Sequence, residues 1–125
     1  MNVPENLKYT KDHEWAKIDG DVATVGITDY AQGELGDVVF VELPEVDATV
    51  TKGETFGTIE AVKAVADLFA PVSGTVVEIN PKLESTPETV NQDPYGEGWM
   101  IKIKMSDPGE VNDLLTAEQY KELIA

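Results

Sequence analysis

Lys63 is the residue whose setting points most directly to chemistry. It stands at the centre of the near-palindrome Ala61-Val62-Lys63-Ala64-Val65. A β-compatible run, Gly57 to Val62, leads in and another, Val65 to Ala70, leads out. A long cation between two short apolar arms reads as the tip of a hairpin. The small flanks leave the ammonium without steric shielding, so a modifying enzyme can reach it. That pattern suits a swinging prosthetic arm better than a catalytic pocket. The plainer alternative is an ordinary exposed turn lysine. Glu60 lies three residues before Lys63, and Gly74 lies eleven residues after it in the next turn signal.

Other chemistries find little support. The chain has no cysteine, which excludes disulfides, thiol catalysis and zinc–thiolate sites. His13 is the single histidine, and a structural or surface role suits it better than that of a general base. Ser73, Ser85 and Ser106 sit in turn-like contexts without a nucleophile-elbow pattern. No phosphate loop or dinucleotide fingerprint occurs. Asp107, Glu110 and Asp113 lack calcium-loop spacing and read as solvated positions around a helix start, so no metal site is expected.

The elements that must hold Lys63 are short strands. Glu14 to Ile18 and Val22 to Ile27 flank the tight-turn dipeptide Asp19-Gly20. Thr28 or Asp29 is expected to cap a short helix through Gln32, closed by Gly33. Val38 to Leu43 forms a further strand before Pro44, Lys52-Gly53 marks a turn, and Ser73-Gly74 is read as a turn before Thr75 to Ile79. Trp99, Ile101, Ile103 and Met105 alternate with Met100, Lys102 and Lys104 as a half-buried strand. Asn80 before Pro81 starts a short helical turn. Thr116 with Gln119 is a capping box, opening a terminal helix whose Leu115, Tyr120, Leu123 and Ile124 stripe packs on the sheet. Many short strands with helical trim predict a mainly β sandwich or barrel.

The 125 residues fit one domain large enough for its own core. Nine basic residues, all lysine, oppose 24 acidic ones for a net charge of −15. Self-repulsion at that charge favours a monomer, opposes nucleic acid and anionic membranes, and suits partners with basic surfaces. No secretory signal, arginine-rich presequence or membrane-spanning run is visible. A cytoplasmic location is expected, and a mature mitochondrial matrix protein would look the same. No Pro/Ala-rich linker follows the strands.

The stretch from Gly57 through Lys63, Asp67, Pro71 and Gly74 to Asn80 resembles the lipoyl-attachment region of the glycine cleavage system H-protein family. His13-Glu14-Trp15, Gly26-Ile27-Thr28-Asp29-Tyr30-Ala31 with Leu35-Gly36-Asp37, and Asn91-Gln92-Asp93-Pro94-Tyr95-Gly96 with Gly98-Trp99 resemble that family's other motifs in the same order. Biotinyl domains share the hairpin but flank the lysine with methionines. Lipoyl domains of 2-oxoacid dehydrogenases place an acid just before it. Here Val62 and Ala64 flank it.

The resemblance implies a lipoyl/biotinyl-type barrel-sandwich hybrid of two small antiparallel sheets, with short peripheral helices and a C-terminal helix. It places the hairpin core at about 20–105 and the helical segment at about 106–125. It implies a non-catalytic carrier with lipoate in amide linkage on Lys63, Glu60 and Gly74 needed by the lipoate-attaching enzyme, and Glu14 and Asp67 lining a cleft for the aminomethyl-bearing arm. The implied partners are a pyridoxal-phosphate glycine decarboxylase, a tetrahydrofolate-dependent aminomethyltransferase and a dihydrolipoyl dehydrogenase. Three alternatives stay open: a lipoyl relay supplying other enzymes, an unmodified interaction module of the same fold, and an enzyme with a carboxylate site. Intact mass after expression with lipoate separates the unmodified module from the carriers, and turnover by the isolated chain tests the enzyme.

Overall fold

The computed structural model describes residues 2–125. Among these residues nine strands form two antiparallel sheets. One is six-stranded, with β1 (Lys8–Tyr9), β2 (Glu14–Asp19), β3 (Val22–Ile27), β9 (Ile101–Met105), β8 (Gly74–Ile79) and β5 (Thr49–Val50) side by side in that order. The other is three-stranded, with β6 (Thr55–Ala61) between β4 (Val38–Glu42) and β7 (Val65–Phe69). Val25, Val76, Ile101 and Ile103 of the large sheet share one buried core with Val41, Ile59 and Leu68 of the small one. The large sheet begins with β1, ahead of residue 20.

A tight hairpin forms there, but one residue later than the dipeptide suggests: Asp19 pairs with Val22, so the two turn residues are Gly20, at φ 64°, and Asp21. Helix α1 (Asp29–Leu35) is capped by Thr28, whose hydroxyl accepts from the Ala31 N–H. It runs one turn further than expected. Gly33 lies inside it on an open face, and the stop is Gly36 at φ 81°, whose N–H donates to the Gln32 carbonyl. Pro81 precedes α2 (Lys82–Ser85), and the Asn80 carboxamide accepts from the Lys82 N–H. A second short helix, α3 (Thr89–Gln92), leads into the Asp93–Trp99 turns.

The capping box of Thr116 and Gln119 opens α4 (Ala117–Ile124). Tyr120 from that helix stacks on Tyr9 of β1 with ring centroids 4.7 Å apart. Leu123 points to solvent instead of joining the stripe. Two further expectations fail. Met100 is fully buried, because its loop packs inward before β9 begins. Glu110 is not a solvated helix-start residue: its carboxylate accepts from the Ser73 N–H at 2.7 Å and from the Ser73 hydroxyl at 3.0 Å. That ties the 3₁₀ turn Pro108–Asp113 to the start of β8.

Candidate functional site: an exposed lysine beside a carboxyl-floored cleft

Lys63 lies on the turn joining β6 to β7, and its side chain is exposed. The Ala61 N–H donates to the Ala64 carbonyl at 2.8 Å, which closes the turn. The Val62 N–H donates to the Asp37 carbonyl at 3.0 Å, which pins the turn to the chain between α1 and β4. The lysine stem lies against Gly36, where an added Cβ would come within 3.2 Å of Cε. Among the described residues Lys63 takes part in no ion pair.

The 36–38 segment that supports the turn is itself held by Asn91. The Asn91 side chain donates to the Gly36 carbonyl at 2.8 Å and accepts from the Val38 N–H at 2.8 Å. It also donates to Gln32 Oε1 at 3.1 Å. Neither Gly36 nor Asn91 was assigned a role from the sequence. Each had a visible signal, the glycine after Leu35 and the Asn-Gln-Asp-Pro-Tyr-Gly motif, but only the fold brings these to Lys63.

A cleft of about 310 Å³ runs between α1 and the open edge of β7. Tyr30, Glu34 and Leu35 form one wall, and Ala66 and Leu68 line the other. Leu35 lines the cleft, and its chain neighbour Gly36 lies against the lysine stem. Glu14 and Asp67, the two candidates for lining an arm cleft, both border this one, but in opposite settings. Asp67 is exposed on the edge strand. Glu14 is only 2% exposed. Thr10 donates to Glu14 Oε1 at 2.7 Å, and the Phe69 N–H donates to Oε2 at 3.3 Å. Burial dominates these opposing hydrogen bonds and pushes the carboxyl up to about 8. Glu14 therefore holds its proton at neutral pH.

His13 closes the end of the cleft at φ 69°, a conformation that strains a residue with a side chain. Its Nδ1 lies 2.9 Å from the Tyr120 hydroxyl, which also pairs with Thr28 Oγ1 at 2.7 Å. Burial holds the imidazole below its ordinary value, against the pull of Asp12 and Glu34. A neutral ring bound to Tyr120 joins the terminal helix to the cap of α1, in keeping with a structural role.

Of the two residues linked to attachment, Glu60 is on β6 near the turn and exposed. Gly74 is elsewhere. It is already the first residue of β8, paired with Val50 and Met105 on the six-stranded sheet, and is not a turn glycine. A Cβ there would overlap the Lys104 carbonyl oxygen, so glycine is required by the close approach of β8 and β9.

Two sheets sharing one core, with an unshielded lysine at a hairpin tip, define a carrier domain of the lipoyl/biotinyl type, the barrel-sandwich hybrid. The family model for the glycine cleavage H-protein matches residues 7–125. The glycine cleavage system H proteins of Staphylococcus carnosus (strain TM300) and Staphylococcus haemolyticus (strain JCSC1435) are each 59% identical over 124 residues, covering 99% of this chain and 98% of theirs. The crystal structure of a glycine cleavage system H protein from Mycobacterium marinum superposes with a TM-score of 0.88 at 45% identity, covering 96% of this chain and 97% of that one. The chain belongs to the glycine cleavage H-protein family.

Proposed function

We propose that this chain is the lipoyl carrier of a glycine cleavage system, a subunit that moves between enzymes without catalysing a step itself. Lipoate would be held in amide linkage on Lys63 and, when bound, would supply a dithiolane disulfide, one sulfur of which takes up the aminomethyl group of glycine as the S–S bond opens. The residues fit that group on two grounds: an unpaired, exposed amine, and a cleft lined in part by Leu35, the chain neighbour of the Gly36 on which the lysine stem rests. The observation that carries the reading is this pairing, with Glu14 buried in the cleft floor.

The chain's own residues have three tasks. The turn presents Lys63, steadied by Asp37 and Gly36. The walls of Leu35, Ala66 and Leu68 exclude water from a seated arm. Glu14 then gives up its proton to accept a cationic amine, and exposed Asp67 adds a second negative charge at the cleft edge. Glu60 and Gly74 would serve attachment of lipoate, Glu60 by direct contact with the attaching enzyme and Gly74 by allowing the close approach of β8 and β9 within the large sheet. The partners are the pyridoxal-phosphate glycine decarboxylase, the tetrahydrofolate-dependent aminomethyltransferase and the dihydrolipoyl dehydrogenase. No helix among the described residues is long and apolar enough to cross a membrane, and a cytoplasmic location is part of the proposal.

The test is intact mass after incubation with lipoate, ATP and a purified lipoate ligase, followed by glycine-dependent one-carbon transfer with the partner enzymes. Wild type should gain one lipoyl group on the Lys63 peptide and support transfer. Lys63→Arg should gain none and support none. Equal transfer by the arginine variant would overturn the assignment.

A further inference from the structure

The β1–β2 turn is cross-bonded through one side chain. The Thr10 hydroxyl oxygen accepts from the Asp12 N–H and from the Glu14 N–H, each at 3.2 Å. A hydroxyl oxygen has two acceptor positions and one proton. With both positions taken, the Thr10 proton can only be given away, and it goes to Glu14 Oε1 at 2.7 Å. The backbone braces the same geometry: the Thr10 N–H donates to the Glu14 carbonyl at 3.0 Å, and the His13 N–H donates to the Thr10 carbonyl at 3.1 Å. Thr10 is thus a one-way donor to a buried carboxyl.

The two oxygens of Glu14 are therefore not equivalent. Oε1 takes a short bond from a hydroxyl that cannot turn round. Oε2 takes only the Phe69 N–H, at 3.3 Å. In a protonated carboxyl the carbonyl oxygen is the better acceptor, which makes Oε1 the carbonyl and leaves the proton on Oε2. Charged groups face Glu14 from several elements: Asp12 and Lys11 of its own turn, Glu34 of α1, Asp67 of β7, and Lys52 and Asp113 around a second cavity that Glu14 also borders. His13, Tyr9, Tyr30 and Tyr120 complete its surroundings. Among the described residues none of these bonds to the carboxyl, and Thr10 is the one side chain that does.

We propose that Thr10 is a positioning residue for amine binding: it fixes the exchangeable proton of Glu14 on Oε2 and steadies the carboxylate left when that proton is given up. This rests on the reading of Glu14 as the group that meets the amine of the loaded arm. Glu14 Oε2 passes its proton to a neutral amine seated against it. The O–H bond breaks with its electron pair staying on the oxygen, and the N–H bond forms. The Thr10 bond to Oε1 strengthens as its acceptor becomes an anion. Thr10 needs no contact with the amine and acts through Glu14.

The first readout needs no arm. In the full-length, unlipoylated protein labelled with ¹³C at the glutamate carboxyls, NMR follows the Glu14 signal against pH. Thr10→Val, close in shape but unable to donate, should raise the midpoint by about one to two pH units, the size expected for losing a hydrogen bond to a charged group. Thr10→Ser keeps the hydroxyl and should titrate as wild type. An unmoved midpoint in Thr10→Val overturns the proposal, as does an equal rise in Thr10→Ser. In wild type the Thr10 hydroxyl proton should shift together with the Glu14 titration, and a signal indifferent to it refutes the donation. That measurement decides the matter even if Thr10→Val does not fold. In the lipoylated, aminomethyl-loaded protein at pH 7, Thr10→Val should shed its amine about tenfold faster, and Thr10→Ser at the wild-type rate. In a Glu14→Gln background Thr10→Val should add nothing, and a further acceleration there refutes action through Glu14. If Glu14→Gln alone leaves the decay unchanged, the reading of Glu14 fails. Faster decay in Glu14→Gln with an unmoved titration in Thr10→Val sinks Thr10 alone, so the two failures are separable.

Discussion

Glu14→Gln removes a proton equilibrium while keeping the side chain's shape, and the burial of Glu14 makes its effect calculable. In the folded protein the carboxyl ionises at about 8, against an ordinary value of 4.5. Between those values the folded state binds more protons than the unfolded state, so stability falls as pH rises. Below 4.5 both states are protonated and the penalty vanishes; above about 8 it is complete. At about 1.4 kcal/mol per pH unit, wild type loses about 3 kcal/mol relative to Glu14→Gln by pH 7, and about 5 kcal/mol beyond pH 8. Urea unfolding of both proteins across this range measures the difference. A flat difference refutes the reasoning. A difference of opposite sign would mean that Thr10 and the Phe69 N–H hold an ionised carboxylate. The same equilibrium governs a seated cationic amine. At pH 7 ionising Glu14 costs about 1.4 kcal/mol, and a charge-assisted hydrogen bond contributes about 1.5–3 kcal/mol. Seating should therefore strengthen about tenfold per pH unit up to pH 8 and lose that slope in Glu14→Gln. The loaded variant should shed its amine faster, while its lipoylation stays normal. An unchanged decay rate removes Glu14 from the role.

Gly74→Ala should destabilise the domain by about 2 kcal/mol or more through overlap with the Lys104 carbonyl, while the fraction still folded is lipoylated at the wild-type KM. A normal melting temperature with poor lipoylation would instead make Gly74 a direct contact of the attaching enzyme. Asn91→Ala strands the Val38 N–H and the Gly36 carbonyl, and should cost about 2–3 kcal/mol. Hydrogen exchange should show the Val62 amide losing protection while the core of β3 keeps its own; equal protection at Val62 would show that Asn91 does not steady the lysine turn.

Local signals were legible wherever one dipeptide or one short spacing decides the geometry. Gly20 marks a hairpin because its turn needs a positive φ, and Thr116 with Gln119 makes a capping box because its two hydrogen bonds are local. The helix stop was misplaced at Gly33 because either glycine can end a helix; the cap contacts and the positive φ at Gly36 choose between them. Gly74 resembles a turn glycine in sequence, and its strand position depends on β9, which lies a quarter of the chain away. Glu14 carried no mark of burial, since the groups that enclose it come from β7 and from the β1–β2 turn.

The chain order alone established a lysine between two strand-forming arms, a strongly acidic surface and the succession of motifs. Those depend on neighbouring residues, composition and periodicity. Tertiary structure decided that Asn91 reaches Gly36, that Glu14 is buried beneath a cleft between α1 and β7, and that Phe40, Glu60 and Val65 share a face. These depend on sheet register and on burial, which couple residues far apart along the backbone and leave no trace in any short window of sequence.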